Sequence, residues 1–321
     1  MNITDFYQEL ESDIAFVEER LHKQLRTSHP VLQEAATQLL SAGGKRLRPV
    51  FVLLSGTFGQ YDLSMLSNVA VALELIHMAS LVHDDVIDDS PLRRGRPTVK
   101  ATFGNKMAMY SGDFIFARAL SILTSIQNVR LHHTLALAIE RMCIGEIEQI
   151  RDQYKVNGSF KNYLRRIRRK TAFLIEMSCA LGAMAAQCTD QEIAGLRRYG
   201  YYTGMAFQIT DDILDFTATA EKLGKPVGSD LRQGNITLPA LHALSSPQYG
   251  DNMRALLREG VTDDEVARMV AMIHESGGIE FAQNIADRYL EKASEGLAVL
   301  PEGSNRLALE AVAAFIGQRD N

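Results

Sequence analysis

Two aspartate clusters restrict the folds open to this chain more than any other feature. DDVID at 84–88 and DDILD at 211–215 each end a run of core-forming residues. A carboxylate buried without partners is very costly. The fold must therefore bring Asp84, Asp85, Asp88, Asp211, Asp212 and Asp215 to water, a cation or hydrogen-bond donors. The periodicity around both clusters is helical. In SNVAVALELIHMASLVHDD, Val69, Leu73, Ile76 and Leu81 recur at helix spacing. LHHTLALAIERMCIGEIEQI and IAGLRRYGYYTGMAFQITDDILDF have the same pattern. Convincing period-two alternation is absent, and Gly/Pro clusters such as SAGGKRLRP, DSPLRRGRP and EKLGKPVGSD mark the breaks. These observations predict an all-α fold, a single-domain helical bundle over residues 1–321 around a deep central cavity.

Helical spacing sorts the carboxylates into stripes. Gln208, Asp211, Asp212 and Asp215 have the offsets of a core-facing stripe, so that stripe meets water or points into a polar cavity. His77, Ser80, Asp84 and Asp88 share another stripe, with Asp85 on its flank. Asp84 and Asp88 lie one turn apart, roughly 6 Å along the axis. A hard cation relieves the repulsion: Mg²⁺ takes one or two carboxylates together with water and phosphate oxygens. The plainer alternative for each cluster is a solvated, Asp-rich helix end. A His83–Asp84 pair would also suit a metal phosphohydrolase, but the remaining histidines show no ligand spacing.

Basic segments supply grips for an anion. GGKRLRP carries Lys45, Arg46 and Arg48, and PLRRGRPT carries Arg93, Arg94 and Arg96. RRIRRKT ends in Lys170 and Thr171. GKPVGSDLRQGNITLP adds Lys225, Asp230 and Arg232 in a loop able to close over a diphosphate. Guanidinium forks match phosphate geometry and lysine adds a point charge. Short basic runs are also common as solvated faces, and RRIRRK is the segment best read that way. Metal and cations beside apolar helices suit chemistry in which diphosphate departs and a carbocation is left in a water-excluding space.

The remaining composition excludes other classes. A net charge of −5 and a pI of about 5.9 offer no argument for nucleic acid or an anionic membrane. Cys143, Cys179 and Cys188 form no CxxC, so neither a zinc site nor a disulfide framework is indicated. MNITDFYQELESD lacks a signal-peptide pattern, and no uninterrupted apolar run nears the ~18 residues of a membrane span. A reducing, cytoplasmic setting is the expectation.

GGKRLRP, ELIHMASLVHDDVIDDSPLRRGRPT, RRKTAFLIEMSC, GMAFQITDDILD and GKPVGSDLRQGNITLP, in this order, resemble the motif set of the trans-isoprenyl (polyprenyl) diphosphate synthases. The resemblance spans residues 40 to 240, and it implies head-to-tail condensation of isopentenyl diphosphate with an allylic diphosphate. It also implies Mg²⁺ on the allylic diphosphate, in several ions, held by Asp84, Asp88 and Asp211. Asp85, Asp212 and Asp215 support them, Asp215 as a further metal ligand, and Lys170 joins the catalytic set. Lys45, Arg48, His77 and Arg94 match isopentenyl diphosphate contacts. Arg93, Lys170, Thr171, Gln208 and Lys225 match allylic-substrate contacts. Asn235 stands where short-chain members often carry lysine.

Small Ala79 and Ser80 beneath Asp84 predict a deep tail channel. The product is then longer than farnesyl or geranylgeranyl diphosphate, built on a farnesyl primer. A heptaprenyl chain for menaquinone is the expectation, with hexaprenyl, octaprenyl or geranylgeranyl as alternatives. Small residues here would also serve close helix packing alone. The likeness to large subunits of two-component synthases implies a dimer with a small component I, and at most transient membrane contact. A class I terpene cyclase would not need GGKRLRP or Arg94. A regulatory subunit would be expected to lose one aspartate motif, and a mere interaction protein leaves the paired stripes unexplained.

Overall fold

The computed structural model describes residues 3–41, 43, 46–155, 158–219 and 226–318. Lys45 and Lys225 lie outside them. The fold is all-α, as expected, apart from one minimal hairpin among the described residues. Two compact units form, with their division falling inside four of the described α-helices, Val129–Asp152, Phe173–Ala185, Asp190–Thr217 and Ser304–Gly317.

The first unit comprises residues 1–135, 177–197 and 298–311. It holds α1 (Ile3–Gln24), α2 (Pro30–Ser41), α3 (Leu47–Gly56) and α4 (Leu63–Ile87). The hairpin β1 (Leu92–Arg93) and β2 (Arg96–Pro97) follows, then α5 (Val99–Phe103) and α6 (Asn105–Leu123). Asp62 starts α4 by accepting from the backbone N–H of Ser64 at 2.9 Å and of Met65 at 3.3 Å, satisfying donors that a helix start leaves open. α6 packs along α4 more extensively than any other described helix pair. Gly112 makes this possible, since a Cβ there would strike the His83 ring. α4 is apolar and long enough to cross a membrane. It is a core helix instead, with 72% of its most apolar window buried. In the sequence Glu74, His77 and Ser80 break its apolar run, which is why residue order alone suggested no span.

The hairpin is the exception to the strand-free reading. Its two central residues, Arg94 at φ 52° and Gly95 at φ 73°, are both left-handed, as tight two-residue hairpins require. Thr98 anchors it. Its N–H donates to Pro91 O at 3.0 Å and its hydroxyl to Ser90 O at 2.8 Å. The Ser90 N–H in turn donates to Asp85 O at 3.0 Å, tying the turn to the end of α4.

The second unit comprises residues 136–176, 198–297 and 312–321. It takes most of α7 (Val129–Asp152), all of α8 (Phe160–Ile167) and the larger, C-terminal part of α10 (Asp190–Thr217). A π-helical turn, Arg168–Ala172, joins α8 to α9 (Phe173–Ala185). Such turns recur at functional sites. Glycines let its neighbours approach: a Cβ on Gly145 of α7 would lie 2.6 Å from Arg169 Cβ, and one on Gly204 of α10 would lie 2.6 Å from Ala172 Cα. The core draws Tyr163 and Ile167 from α8, Ile209 and Ile213 from α10, and Met269 and Ile273 from the helix Asp263–Glu275.

Candidate active site

α4 presents its polar stripe as the sequence spacing predicts. Between residues 69 and 82 every side chain is buried except His77, Ser80 and Leu81. Asp84 and Asp88 continue that line half-buried, and the Asp88 N–H closes the helix by donating to Asp84 O at 2.8 Å. Asp85 turns away from it. Only 2% exposed, it accepts from Arg93 Nε at 2.9 Å and Nη2 at 2.7 Å. Burial pushes its carboxyl up and the Asp88 charge adds to this, while Arg93 opposes both. Asp89, left-handed at φ 51°, pairs with Lys100. Asp84 and Asp88 are thus the members of the cluster that keep both the shared stripe and accessible surface.

Arginines surround the other end of the stripe. His77 keeps some surface, but the loss of water around its ring, and then Arg48, Arg94, Arg93 and Arg46, hold it well below the usual histidine range. It is a neutral imidazole in a positive field. Arg48 and Arg94, with Arg93 and Arg46, therefore lie close enough to His77 to act on its charge. Arg94 reaches back to the carbonyl of Gly43, which precedes α3. Arg46 behaves differently from its neighbours. Its fork is filled by Glu18 and by Glu74 Oε1 at 3.0 Å, so it cross-links α1 to α4. Ala79 is buried, and Ser80 turns its hydroxyl onto its own helix, donating to His77 O at 2.8 Å.

α10 divides its stripe. Gln208 and Asp211 stay half-buried, but Asp212 and Asp215 are 3% and 1% exposed. The stripe therefore does not meet water or a polar cavity as a whole. Its second half is buried within hydrogen bonds. Asp215 Oδ1 accepts from Ser229 Oγ at 2.9 Å, and its Oδ2 from the Asp230 N–H at 3.1 Å. Its carbonyl accepts from the Gly228 N–H at 2.9 Å, so one residue fastens the loop after position 226. Asp212 accepts from Tyr163 at 2.6 Å and from Gln208 Nε2 at 2.8 Å. Burial, with the charge of Asp230, pushes Asp212 up to about 7 against those hydrogen bonds. On the π turn, Thr171 donates to Gln208 Oε1 at 2.5 Å and Lys170 to Glu146 Oε2 at 3.1 Å. Asn235 is buried and donates weakly to Gln233 Oε1 at 3.3 Å.

Residues 29–273 match the family model described as Polyprenyl synthetase. This chain belongs to the polyprenyl synthetase family. It is 52% identical to heptaprenyl diphosphate synthase component 2 of Geobacillus stearothermophilus, over all of both chains. The crystal structure of heptaprenyl diphosphate synthase from Staphylococcus aureus superposes with a TM-score of 0.93 at 41% identity, covering 97% of this chain and 99% of that one. A polyprenyl synthase from Caulobacter crescentus, complexed with calcium and isoprenyl diphosphate, gives 0.95 at 32% identity, covering 100% and 98%. The chain is accordingly a prenyltransferase with the all-α fold of its family.

The donors of this polyprenyl synthetase suit a hard cation. Among the described residues no three His, Cys, Asp or Glu side chains form a complete metal cage. In the first unit the accessible carboxylates Asp84 and Asp88 provide oxygen alone, and in the second so does Asp211. Mg²⁺ is commonly held in this way, by one or two carboxylates with substrate phosphates completing the shell. Two residues escaped the sequence reading: Tyr163, the partner of Asp212, and Glu146, the partner of Lys170. Tyr163 is spaced like a core aromatic, and nothing local marks its hydroxyl for a carboxylate 49 positions away.

Proposed function

We propose that this polyprenyl synthetase is the large subunit of a heptaprenyl diphosphate synthase. It condenses isopentenyl diphosphate with farnesyl diphosphate to an all-trans chain destined for menaquinone. The observation that carries this reading is the stripe of α4, where the positive field of Arg48 and Arg94 acts on His77 and Asp84 and Asp88 follow on the same face. One stretch of helix thus pairs an anion site with a cation site, which a terpene cyclase would not need. The full-length identity to a component 2 protein supports the product class and a partner subunit. The family match runs through both compact units, which supports one catalytic domain over residues 1–321. The setting is cytoplasmic, with membrane contact only at product release.

Bound Mg²⁺ would neutralise charge on the departing allylic diphosphate. Asp84, Asp88 and Asp211 would hold it, with Asp215 shaping the adjoining loop. Arg48 and Arg94 grip isopentenyl diphosphate, and neutral His77 contributes a ring N–H donor. Arg93 and Lys170 favour the anionic allylic substrate, while Thr171 and Gln208 provide oxygen near its reacting end. The isopentenyl double bond attacks the allylic carbon as the C–O bond to diphosphate breaks. The proton lost from the new chain goes to the released diphosphate. Apolar helix walls exclude water, and the tail runs past small Ser80, which keeps surface on the Asp84 stripe, with buried Ala79 beside it.

The purified chain is incubated with Mg²⁺, labelled isopentenyl diphosphate and farnesyl diphosphate. It is run alone, with EDTA, and with the small subunit from the same cell, and the dephosphorylated products are sized. A C35 product that needs Mg²⁺ and the small subunit is expected. Activity without the partner refutes the two-component assignment, and a different length refutes the heptaprenyl one.

A further inference from the structure

Four side chains of the second unit form one hydrogen-bond chain whose polarity is dictated from its buried end. The Tyr163 hydroxyl donates to Asp212 Oδ2 at 2.6 Å, and Asp212 Oδ1 accepts from Gln208 Nε2 at 2.8 Å. In its ionised form, which the hydrogen bonds from Tyr163 and Gln208 favour against burial, the carboxylate only accepts, so it selects the amide nitrogen and turns the Gln208 oxygen the other way. That oxygen lies 2.5 Å from Thr171 Oγ1. An amide oxygen also only accepts, so Thr171 must direct its single hydrogen there. Its lone pairs are what remain for any other group.

Tyr163 is 2% exposed, with its ring in the core cluster. Arg166 packs over the ring at 5.7 Å and is itself pinned by donating to Ile236 O at 2.6 Å. Core packing therefore holds the hydroxyl in place. Phenylalanine would fill the same space, and a buried hydroxyl is costly unless it is hydrogen-bonded. Its bond to Asp212 gives it a purpose.

We propose that Tyr163 is a positioning residue for prenyl transfer: by holding Asp212 it fixes the Gln208 amide and makes Thr171 an acceptor-only oxygen. This rests on the reading above that Thr171 and Gln208 face the allylic substrate. An acceptor-only oxygen gives no hydrogen bond to diphosphate. It serves the carbon end, where positive charge develops as the C–O bond breaks. Its effect belongs to the chemical step and not to substrate capture.

The test compares wild-type chain, Tyr163→Phe and Asp212→Asn, each with Mg²⁺, both substrates and the small subunit. Tyr163→Phe removes one oxygen and keeps the packing. Asp212→Asn keeps the shape but lets the Gln208 amide reverse. Both are expected to lower kcat about tenfold, the order expected for losing a hydrogen bond to a charged group, with KM for farnesyl diphosphate within about twofold. Circular dichroism should be unchanged. Wild-type kcat in Tyr163→Phe overturns the proposal, as does a raised KM at unchanged kcat. Should Tyr163→Phe misfold, Asp212→Asn decides by the same two readouts. If the wild-type chain itself transfers no prenyl group, the function reading falls and this proposal with it. An active wild type beside an unaffected Tyr163→Phe removes this proposal alone.

Discussion

Arg93 sets both Nε and Nη2 against a single oxygen of Asp85, at 2.9 and 2.7 Å, bridging the hairpin to the last turn of α4. Asp85 is buried, so its charge depends on that guanidinium. Arg93→Leu should destabilise the fold by about 3 kcal/mol, because it leaves a buried carboxylate unpaired. Urea denaturation measures this. Adding Asp85→Leu should recover much of the loss, since a buried ion pair replaced by apolar groups is often neutral. An equal loss in single and double variants would show that Arg93 acts through something other than Asp85.

His77 should remain neutral through the range in which ordinary histidines titrate. The loss of water around its ring and four arginines depress it well below 6.5. For a base with a lowered folded pKa, the stabilising contribution is present above 6.5 and fades as pH falls towards the folded value. A proton NMR titration should show no His77 inflection near 6.5. Relative to His77→Gln, wild-type stability should decline only on the acid side of that pH.

Gly204→Ala tests the π turn. The new Cβ would meet Ala172 at 2.6 Å from Cα and 2.9 Å from the carbonyl oxygen, both backbone atoms that cannot rotate away. Alanine would ordinarily gain about 1 kcal/mol in helix propensity. Overpacking of about 1–3 kcal/mol should outweigh that gain and move Lys170 and Thr171. A lower Tm together with a lower kcat is expected. A higher Tm would mean that the turn yields without strain.

Ala79→Phe and Ser80→Phe should shorten the product. Ala79 is buried, so its replacement also carries an overpacking cost of about 1–3 kcal/mol. Ser80 keeps surface on the stripe of Asp84, so its replacement tests the channel with less strain. Both variants are assayed for product length after confirming a cooperative unfolding transition. Unchanged length in a folded Ser80→Phe would place the tail elsewhere.

The α4 stripe was legible because its logic is local. Helix periodicity alone puts His77, Ser80, Asp84 and Asp88 on one line, whichever helices surround it. The same rule correctly aligned Gln208, Asp211, Asp212 and Asp215 but overstated what they share. Tyr163, Ser229 and the Asp230 backbone cover the last two and leave the first two accessible. Arg46 and Arg48 read alike in GGKRLRP, yet Glu18 and Glu74, each 28 positions from Arg46, fill only the Arg46 fork.

Residue order by itself determined the helical class, the two carboxylate stripes and the basic segments. These follow from spacing, charge and side-chain chemistry within a few turns of chain. Only the tertiary structure decided which carboxylates are sealed by donors, which arginine is consumed by glutamates, and that Lys170 and Thr171 ride on a π turn between two glycines. Those outcomes depend on groups far apart in sequence that packing brings within hydrogen-bond distance.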